Sequence, residues 1–384
     1  MDDLKNFFYK NFDLLFIGLF FILTLSLLWV PPRWDEYVYL SFDYFPLTTQ
    51  WVPHPPLLWY LLAVFNYFPL KTHWFSYLPL SWHRLVILSP MPRMAILICS
   101  LISMFFLFYA CKRLYGEKIA RLTVAILAAN WLYMLLGSLV MFTDGPMTAF
   151  MTISTISFLC WLKLDEQKFL LISGLGLALA SLTKYTAAPI ILATSFLWLL
   201  FSGKRLRLGK ISKMLGVATV SLVPLVYWIY IVYQECGNFV DQYSALYDLF
   251  PSTSPLTIFS PLSSVPFHLR SYLPIFAFNI GYYAVWTIVL ANYSLIHWVR
   301  QRQFDFDSKL LLANIAVIFC FFLIINKQDF GNFRYVLPMI PPLAIITAKN
   351  TVKEKTWLSF LIIFTQFLFA SIITYVALVL YPFK

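Results

Sequence analysis

The chain has 384 residues, of which 61% are hydrophobic and only 12% are charged, and its mean hydropathy is +0.76. Soluble domains are about 45–50% apolar, so this composition excludes a soluble globular protein and indicates an integral membrane protein. The net charge is +11, but the basic residues cluster in short turns between apolar runs. Such clusters are the usual topology signal of membrane proteins and require no nucleic-acid partner.

A bilayer core about 30 Å thick needs about 20 apolar residues per helix. We therefore predict an all-α polytopic membrane protein with about 11 transmembrane helices in a single domain, 1–384, without a separate soluble domain. The first apolar run is too long for a signal peptide and has no small-residue cleavage pattern, so we expect it to be retained. The predicted spans are 11–30, 94–111, 122–141, 146–162, 169–183, 186–202, 214–233, 276–298, 309–326, 335–348 and 357–381.

The distribution of lysine and arginine predicts the orientation of these spans. The basic turns at 112–121, 204–213 and 349–355 all fall on one side if the N-terminus is inside. The positive-inside rule favours this arrangement over its inverse. We expect a multi-pass protein of the cell (inner) membrane with a cytoplasmic N-terminus.

Two longer segments then lie on the outer side. The first, 31–93, contains an apolar stretch of its own, 57–68, which is bounded by prolines. That stretch is too short to span the bilayer, so we expect interfacial helices there. The second segment, 234–275, is rich in proline, serine and threonine. It is either a lid or acceptor-binding loop, or a plain connector.

The first outer segment opens with an acidic pair, Asp35 and Glu36, a few residues beyond the first span. A carboxylate at the membrane surface is partly desolvated, which raises its pKa, and beside a cationic ligand it becomes a competent base. The alternative interpretation is a solvated helix cap with Trp34 as an interface anchor.

A third acidic residue, Asp144, lies in the T-D-G-P turn between two apolar runs. Aspartate before Gly-Pro is common in turns and helix caps. On the predicted topology Asp144 shares the outer face with Asp35, so the two carboxylates could instead form an acid/base or ligand-orienting pair.

Four cationic side chains also fall on the outer side, where the positive-inside rule does not place them: Arg33, His54, Lys184 and Arg334. Guanidinium, ammonium and imidazole groups can all hold a phosphate. The alternatives are a loop histidine for His54 and a snorkelling lysine for Lys184. The prolines after Arg334 are expected to kink their span and leave backbone groups free to line a cavity.

The sequence shows no cysteine–histidine metal spacing and no glycine-rich phosphate loop. We therefore predict no metal site and no cofactor beyond a lipid-linked donor. A requirement for a divalent metal is the alternative. The five cysteines, at 99, 111, 160, 236 and 320, imply no disulfide framework.

Five motifs occur in a fixed order along the chain: W-D-E-Y-V-Y-L, H-P-P-L-L-W-Y-L-L, T-D-G-P-M, G-L-G-L-A-L-A-S-L-T-K-Y-T and F-R-Y-V-L-P-M-I-P-P-L. This ordered set resembles the polytopic GT-C glycosyltransferases. The most similar group is the protein O-mannosyltransferase and aminoarabinose-transferase type, with its bacterial relatives that resemble dolichyl-phosphate-mannose-protein mannosyltransferases. Each motif alone is weak, and the ordered set is fairly specific.

The resemblance implies transfer of a hexose or pentose from a polyprenyl-phosphate carrier to a glycan, lipid or protein acceptor on the outer face. It implies that Asp35 is the catalytic base, with Glu36 as its neighbour, and that Asp144 helps to shape the site. It further implies that His54, Lys184 and Arg334 lie near the carrier phosphate. Arg33, Tyr37 and Tyr335 flank these positions and are candidates for supporting roles.

Two other functions stay open at this point. A secondary transporter or lipid flippase would place ionisable residues near the bilayer midplane and often has repeated halves. A polyprenyl-linked glycan polymerase or ligase would share the outer site but would handle a whole oligosaccharide.

For the glycosyltransferase, we expect inversion at the anomeric carbon, because one base supports a single displacement.

Overall fold

A computed structural model describes residues 2–28, 56–57, 61, 90–139, 143–201, 208–236, 306–325, 337–352 and 356–375. These residues form helices and the short turns between them, and no strand occurs in this part of the chain. The all-α prediction is confirmed for the described ranges. The predicted span at 276–298 lies outside them, as does most of each predicted outer segment, 31–93 and 234–275.

Ten α-helices and one π-helix make up the described bundle. In chain order they are α1 (Asp2–Leu27), α2 (Pro90–Tyr115), α3 (Glu117–Ala128), the π-helix (Tyr133–Gly137), α4 (Asp144–Leu164), α5 (Gln167–Thr183), α6 (Ala187–Phe201), α7 (Leu208–Cys236), α8 (Phe306–Ile325), α9 (Ile340–Thr351) and α10 (Thr356–Tyr375).

Three of the described helices are long and apolar enough to cross a membrane: Arg93–Tyr115, Asp144–Leu164 and Gly209–Gln234. Four shorter apolar helices, of 10–17 residues, accompany them. The protein is therefore a helical membrane protein, but the prediction of 11 transmembrane helices is not confirmed.

The predicted continuous span at 122–141 is wrong, because α3 ends at Ala128. The side chain of Asn130 accepts a hydrogen bond from the Tyr133 backbone N–H at 3.0 Å and so starts a new helical segment, which continues as the π-helix. Asparagine commonly interrupts helices in this way, because its amide competes for backbone groups. The hydroxyl of Ser138 donates to the Tyr133 carbonyl at 3.1 Å and closes the π-helix.

The prediction that prolines kink a span at 335–348 also needs correction. A 3₁₀ turn at 337–339 precedes α9, and the helix itself begins at Ile340. Pro341 and Pro342 lie in its first turn, where a missing N–H costs nothing and the fixed φ suits the helix. The prolines therefore start a helix here and do not bend one.

Most of the described ion pairs lie at one end of the bundle, which we call the basic end. There the end of α2, the α4–α5 turn and the starts of α7 and α8 meet. A hydrogen bond from Lys168, together with the charge of Arg113, lowers the pKa of Glu166. The other contacts that define this end are Lys163–Asp307 at 2.5 Å, Lys210–Asp165 at 2.8 Å, and Lys349 over the Tyr115 ring at 4.7 Å.

Helices α4 and α5 are antiparallel neighbours that approach closely at a glycine. A Cβ added to Gly176 would lie 2.7 Å from the Ser154 backbone nitrogen and 2.9 Å from its Cα. The Ser154 hydroxyl donates to the Ser173 carbonyl at 2.8 Å across the same contact. Small residues allow such close backbone contact between membrane helices. This contact fixes the register of α4 against α5.

We predict that Gly176→Ala destabilises the bundle by about 1–3 kcal/mol, because the added methyl group overlaps the α4 backbone. Thermal unfolding in detergent, followed by tryptophan fluorescence, measures the effect. The matched control is Gly216→Ala in α7, where nothing lies within 4 Å of the added Cβ. Equal unfolding temperatures for the two variants would contradict the proposed close contact.

Candidate active site

Asp144 is the first residue of α4 and is 1% exposed. The residue before it, Thr143, makes no side-chain capping hydrogen bond, and Asp144 itself lies in the first turn. A carboxylate in the first helical turn interacts favourably with the helix dipole. Asp144 is therefore a buried residue in the first turn of α4, and the N-cap position, which its T-D-G-P motif also allowed, is held by Thr143.

Lys184 follows directly after α5 and forms an ion pair with Asp144. Its Nζ donates to Asp144 Oδ1 at 2.7 Å, and the residue is only 8% exposed. The lysine backbone is extended here, and its N–H donates to the Ala180 carbonyl at 3.0 Å. The side chain therefore turns into the protein and does not snorkel to the surface.

The register at Gly176 explains why the two charged residues meet. Asp144 lies ten residues before Ser154 on α4, and Lys184 lies eight residues after Gly176 on the antiparallel α5. At about 1.5 Å per residue these positions are about 15 Å and 12 Å from the close contact, so they reach the same level. We call this level of the bundle the Asp144 end; it lies opposite the basic end.

The start of α4 packs tightly against neighbouring backbone. A Cβ at Gly145 would lie 3.0 Å from the Leu136 carbonyl oxygen and 3.1 Å from both the Gly137 oxygen and Ile96 Cγ2. Glycine therefore allows α4 to start against the π-helix and α2. This packing fixes the backbone of the first turn of α4, which carries Asp144.

Tyr185, beside Lys184, was not among the predicted site residues. It packs against the Trp228 and Val232 cluster of α7. Burial raises the pKa of Tyr185 to about 12, so its phenol is neutral at physiological pH.

A stripe of buried polar residues runs along α4 from Asp144 through Thr148 and Thr152 to Thr155. Their spacing of three or four residues places them on one helix face. The stripe ends at a cavity of about 10 Å³, on the scale of one water molecule. The cavity is lined by Met151, Thr152, Thr155, Ile156, Asn314, Ile318, Pro338, Pro341 and Pro342.

A second buried cation, Arg93, was not among the predicted site residues. It lies near the start of α2, is 0% exposed and donates from Nη1 to the Leu27 carbonyl at 3.3 Å. Its position at the edge of the predicted outer segment was the only sequence signal that could have identified it.

Of the predicted site residues, the structure brings together Asp144 and Lys184. The remaining predicted residues lie outside the described ranges, so their convergence with this pair stays a prediction. They are Arg33, Asp35, Glu36, Tyr37, His54, Arg334 and Tyr335.

The described helices define a polytopic helical membrane protein. It has a buried ion pair, and with it a polar site, at one end and ion-paired basic turns at the other. Residues 91–230 match the family model of dolichyl-phosphate-mannose-protein mannosyltransferase. This region contains Arg93, Asp144 and Lys184. No curated protein matches the chain in sequence.

Three solved structures are similar to the chain. ArnT from Cupriavidus metallidurans bound to undecaprenyl phosphate has a TM-score of 0.66 at 16% identity, over 95% of this chain and 63% of that one. The same enzyme in its apo state gives 0.63 at 16% identity, over 90% and 60%. The apo Archaeoglobus fulgidus oligosaccharyltransferase gives 0.50 at 13% identity, over 97% and 55%.

These matches confirm the resemblance to the GT-C glycosyltransferases that the sequence motifs indicated. At these identities the structural similarity establishes the fold. The chain spans about 63% of the length of the first ArnT structure that it matches.

We predict that Asp144→Asn and Lys184→Met each destabilise the protein by about 3–5 kcal/mol, because each leaves a buried charged partner uncompensated. The double variant should lose less than the sum of the two. Unfolding free energies of the four proteins in one detergent measure this coupling.

The matched control is the more exposed Asp165–Lys210 pair at the basic end. Its equivalent variants should show a coupling of about 0–1 kcal/mol. Strictly additive losses at Asp144 and Lys184 would show that the two side chains do not interact.

Proposed function

We propose that the protein is a membrane glycosyltransferase of the hexosyl- or pentosyltransferase type. It moves a sugar from a polyprenyl-phosphate carrier to an acceptor hydroxyl on the outer face. The observation that carries this proposal is the buried Asp144–Lys184 pair, which lies within the region that matches the mannosyltransferase family model. The ArnT structure bound to undecaprenyl phosphate supports a polyprenyl-phosphate carrier.

The chemistry that such a donor needs is limited. Its leaving group is a phosphate that is already stable as an anion, so the anomeric oxygen requires no protein acid. The reaction needs a base for the acceptor hydroxyl and cations for the phosphate. The acceptor oxygen attacks the anomeric carbon, its proton passes to the base, and the bond between that carbon and the phosphate oxygen breaks.

We assign the base to Asp35, with Glu36 beside it, and the phosphate contacts to His54, Lys184 and Arg334. Attack opposite the leaving phosphate inverts the anomeric carbon. The acidic pair follows α1 in sequence, on the side where the predicted topology also places Asp144.

The ion pair refines the role proposed for Asp144. Its Oδ1 accepts a hydrogen bond from the Lys184 ammonium at 2.7 Å, so this carboxylate is already engaged by a cation. We propose that Asp144 orients the Lys184 ammonium toward the carrier phosphate, and that Asp35 takes the proton. A fixed cation at a low-dielectric boundary stabilises developing phosphate charge without rearranging during the reaction.

The distribution of charge supports an enzyme over a transporter or flippase. The buried pair lies at one end of the bundle, whereas transporters bind substrate near the midplane, between repeated halves. The oligosaccharyltransferase similarity keeps a polymerase or ligase as the second candidate, and donor size distinguishes the two.

To test the reaction, the purified protein in lipid should be incubated with radiolabelled polyprenyl-phosphate sugars and with carriers that hold an oligosaccharide. We expect label to leave a carrier that holds a single sugar. Label released only from oligosaccharide carriers would favour the polymerase or ligase. Label that crosses the bilayer while still attached to its carrier would favour a flippase.

We predict that Asp35→Asn lowers kcat by about 10²–10⁴-fold, the range expected for loss of a general base. The amide is nearly isosteric, so folding and membrane insertion should be retained. The measurement is the turnover, per folded protein, of the carrier that the wild type consumes. If the variant turns over as fast as the wild type, Asp35 is not the base. Glu36→Gln, at the neighbouring position, is the control.

A further inference from the structure

The last turn of α1 has one buried face. Thr24 and Leu27 are buried, as is Leu28 directly after the helix, whereas Leu25 and Ser26 are exposed. The last carbonyl groups of any helix have no partner within the helix and carry its partial negative charge. The carbonyl of the buried Leu27 therefore needs a donor from elsewhere in the fold.

Arg93 supplies such a donor to the Leu27 carbonyl from α2, across 66 residues of sequence. The arginine is fully buried, so this contact places a permanent cation at the negative end of the α1 dipole. Burying a guanidinium is costly unless its hydrogen bonds are made. The contact therefore joins the end of α1 to the start of α2 at a defined point.

The contact lies at the Asp144 end of the bundle. Ile96, one helical turn after Arg93, is the α2 residue that a Cβ at Gly145 would meet at 3.1 Å. Residues three apart share one face of a helix, and Gly145 follows Asp144 directly. The start of α2 thus connects the end of α1 with the start of α4, where the Asp144–Lys184 pair lies.

We propose that Arg93 is a positioning residue of the transfer reaction, which anchors the end of α1 beside the Asp144–Lys184 pair. This inference rests on the proposed function. Asp35 is eight residues after Leu27, which limits its distance from that carbonyl to about 28 Å in a fully extended chain. The point at which the chain leaves α1 therefore bears directly on the placement of the base relative to Lys184.

The test compares Arg93→Gln, Arg93→Lys and a control, Arg113→Gln, in lipid. Arg113 is a partly exposed arginine at the basic end, paired with Glu166. Two quantities are measured on folded protein: amide hydrogen exchange of residues 24–28, and kcat and KM for the labelled carrier that the wild type consumes.

We expect Arg93→Gln to accelerate exchange at 24–28 about tenfold, because the end of α1 opens locally more often. We also expect it to lower kcat by about 10–100-fold with little change in KM, since a displaced catalytic group slows the chemical step more than it weakens binding. Arg93→Lys should recover part of both effects, because an ammonium can still donate to the carbonyl. Arg113→Gln should match the wild type.

Unchanged exchange at 24–28 in Arg93→Gln would overturn the inference, whatever the activity. So would unchanged kcat per folded molecule, or a loss that affects only the yield of folded protein. If Arg93→Gln does not fold, the lysine variant decides by the same two measurements. If the wild-type protein releases label from none of the carriers, the proposed function is overturned. The exchange data would still show whether Arg93 anchors α1.

Discussion

The close contact between Gly176 and Ser154 is the constraint on which the rest of the described site depends. It holds two antiparallel helices so close that a Cβ at Gly176 would lie 2.7 Å from the Ser154 backbone nitrogen. In a membrane, where apolar side chains gain little by leaving lipid, such contact and cross-helix hydrogen bonds provide much of the specificity of packing. Because the contact fixes the register, it brings Asp144 and Lys184 to one level, although 40 residues separate them in sequence.

The two ends of the bundle use charge in different ways. At the basic end most pairs are partly exposed, join helix ends and turns, and are screened by solvent, so each adds little stability. At the Asp144 end the ion pair and Arg93 are buried, where desolvation makes every charge costly. Buried charge at that cost is a weak source of stability. Its position at one end of the bundle is the reason for proposing a substrate site there.

The family model and the similar solved structures support different parts of this description. The family model covers α2 to most of α7, the helices that carry Arg93, Asp144 and Lys184. The ArnT similarity extends over nearly the whole chain and establishes the fold. Our proposal of a lipid-linked sugar donor rests on these two similarities. The assignment of the base rests on the sequence motif that follows α1.

Composition alone determined that this is a helical membrane protein, because a chain with so many apolar residues cannot bury them in a soluble domain. The order of the motifs was sufficient to indicate the GT-C resemblance, and Asp144 and Lys184 could be selected because charge is scarce in apolar runs. Their pairing could not be predicted, since it depends on the α4–α5 register, which a glycine sets through backbone contact. The break at Asn130, the helix start at Pro341 and the burial of Arg93 were likewise decided by tertiary structure. Each depends on which backbone N–H and C=O groups are hydrogen-bonded or contacted by a neighbouring segment. Hydropathy along the sequence does not indicate which segments become neighbours.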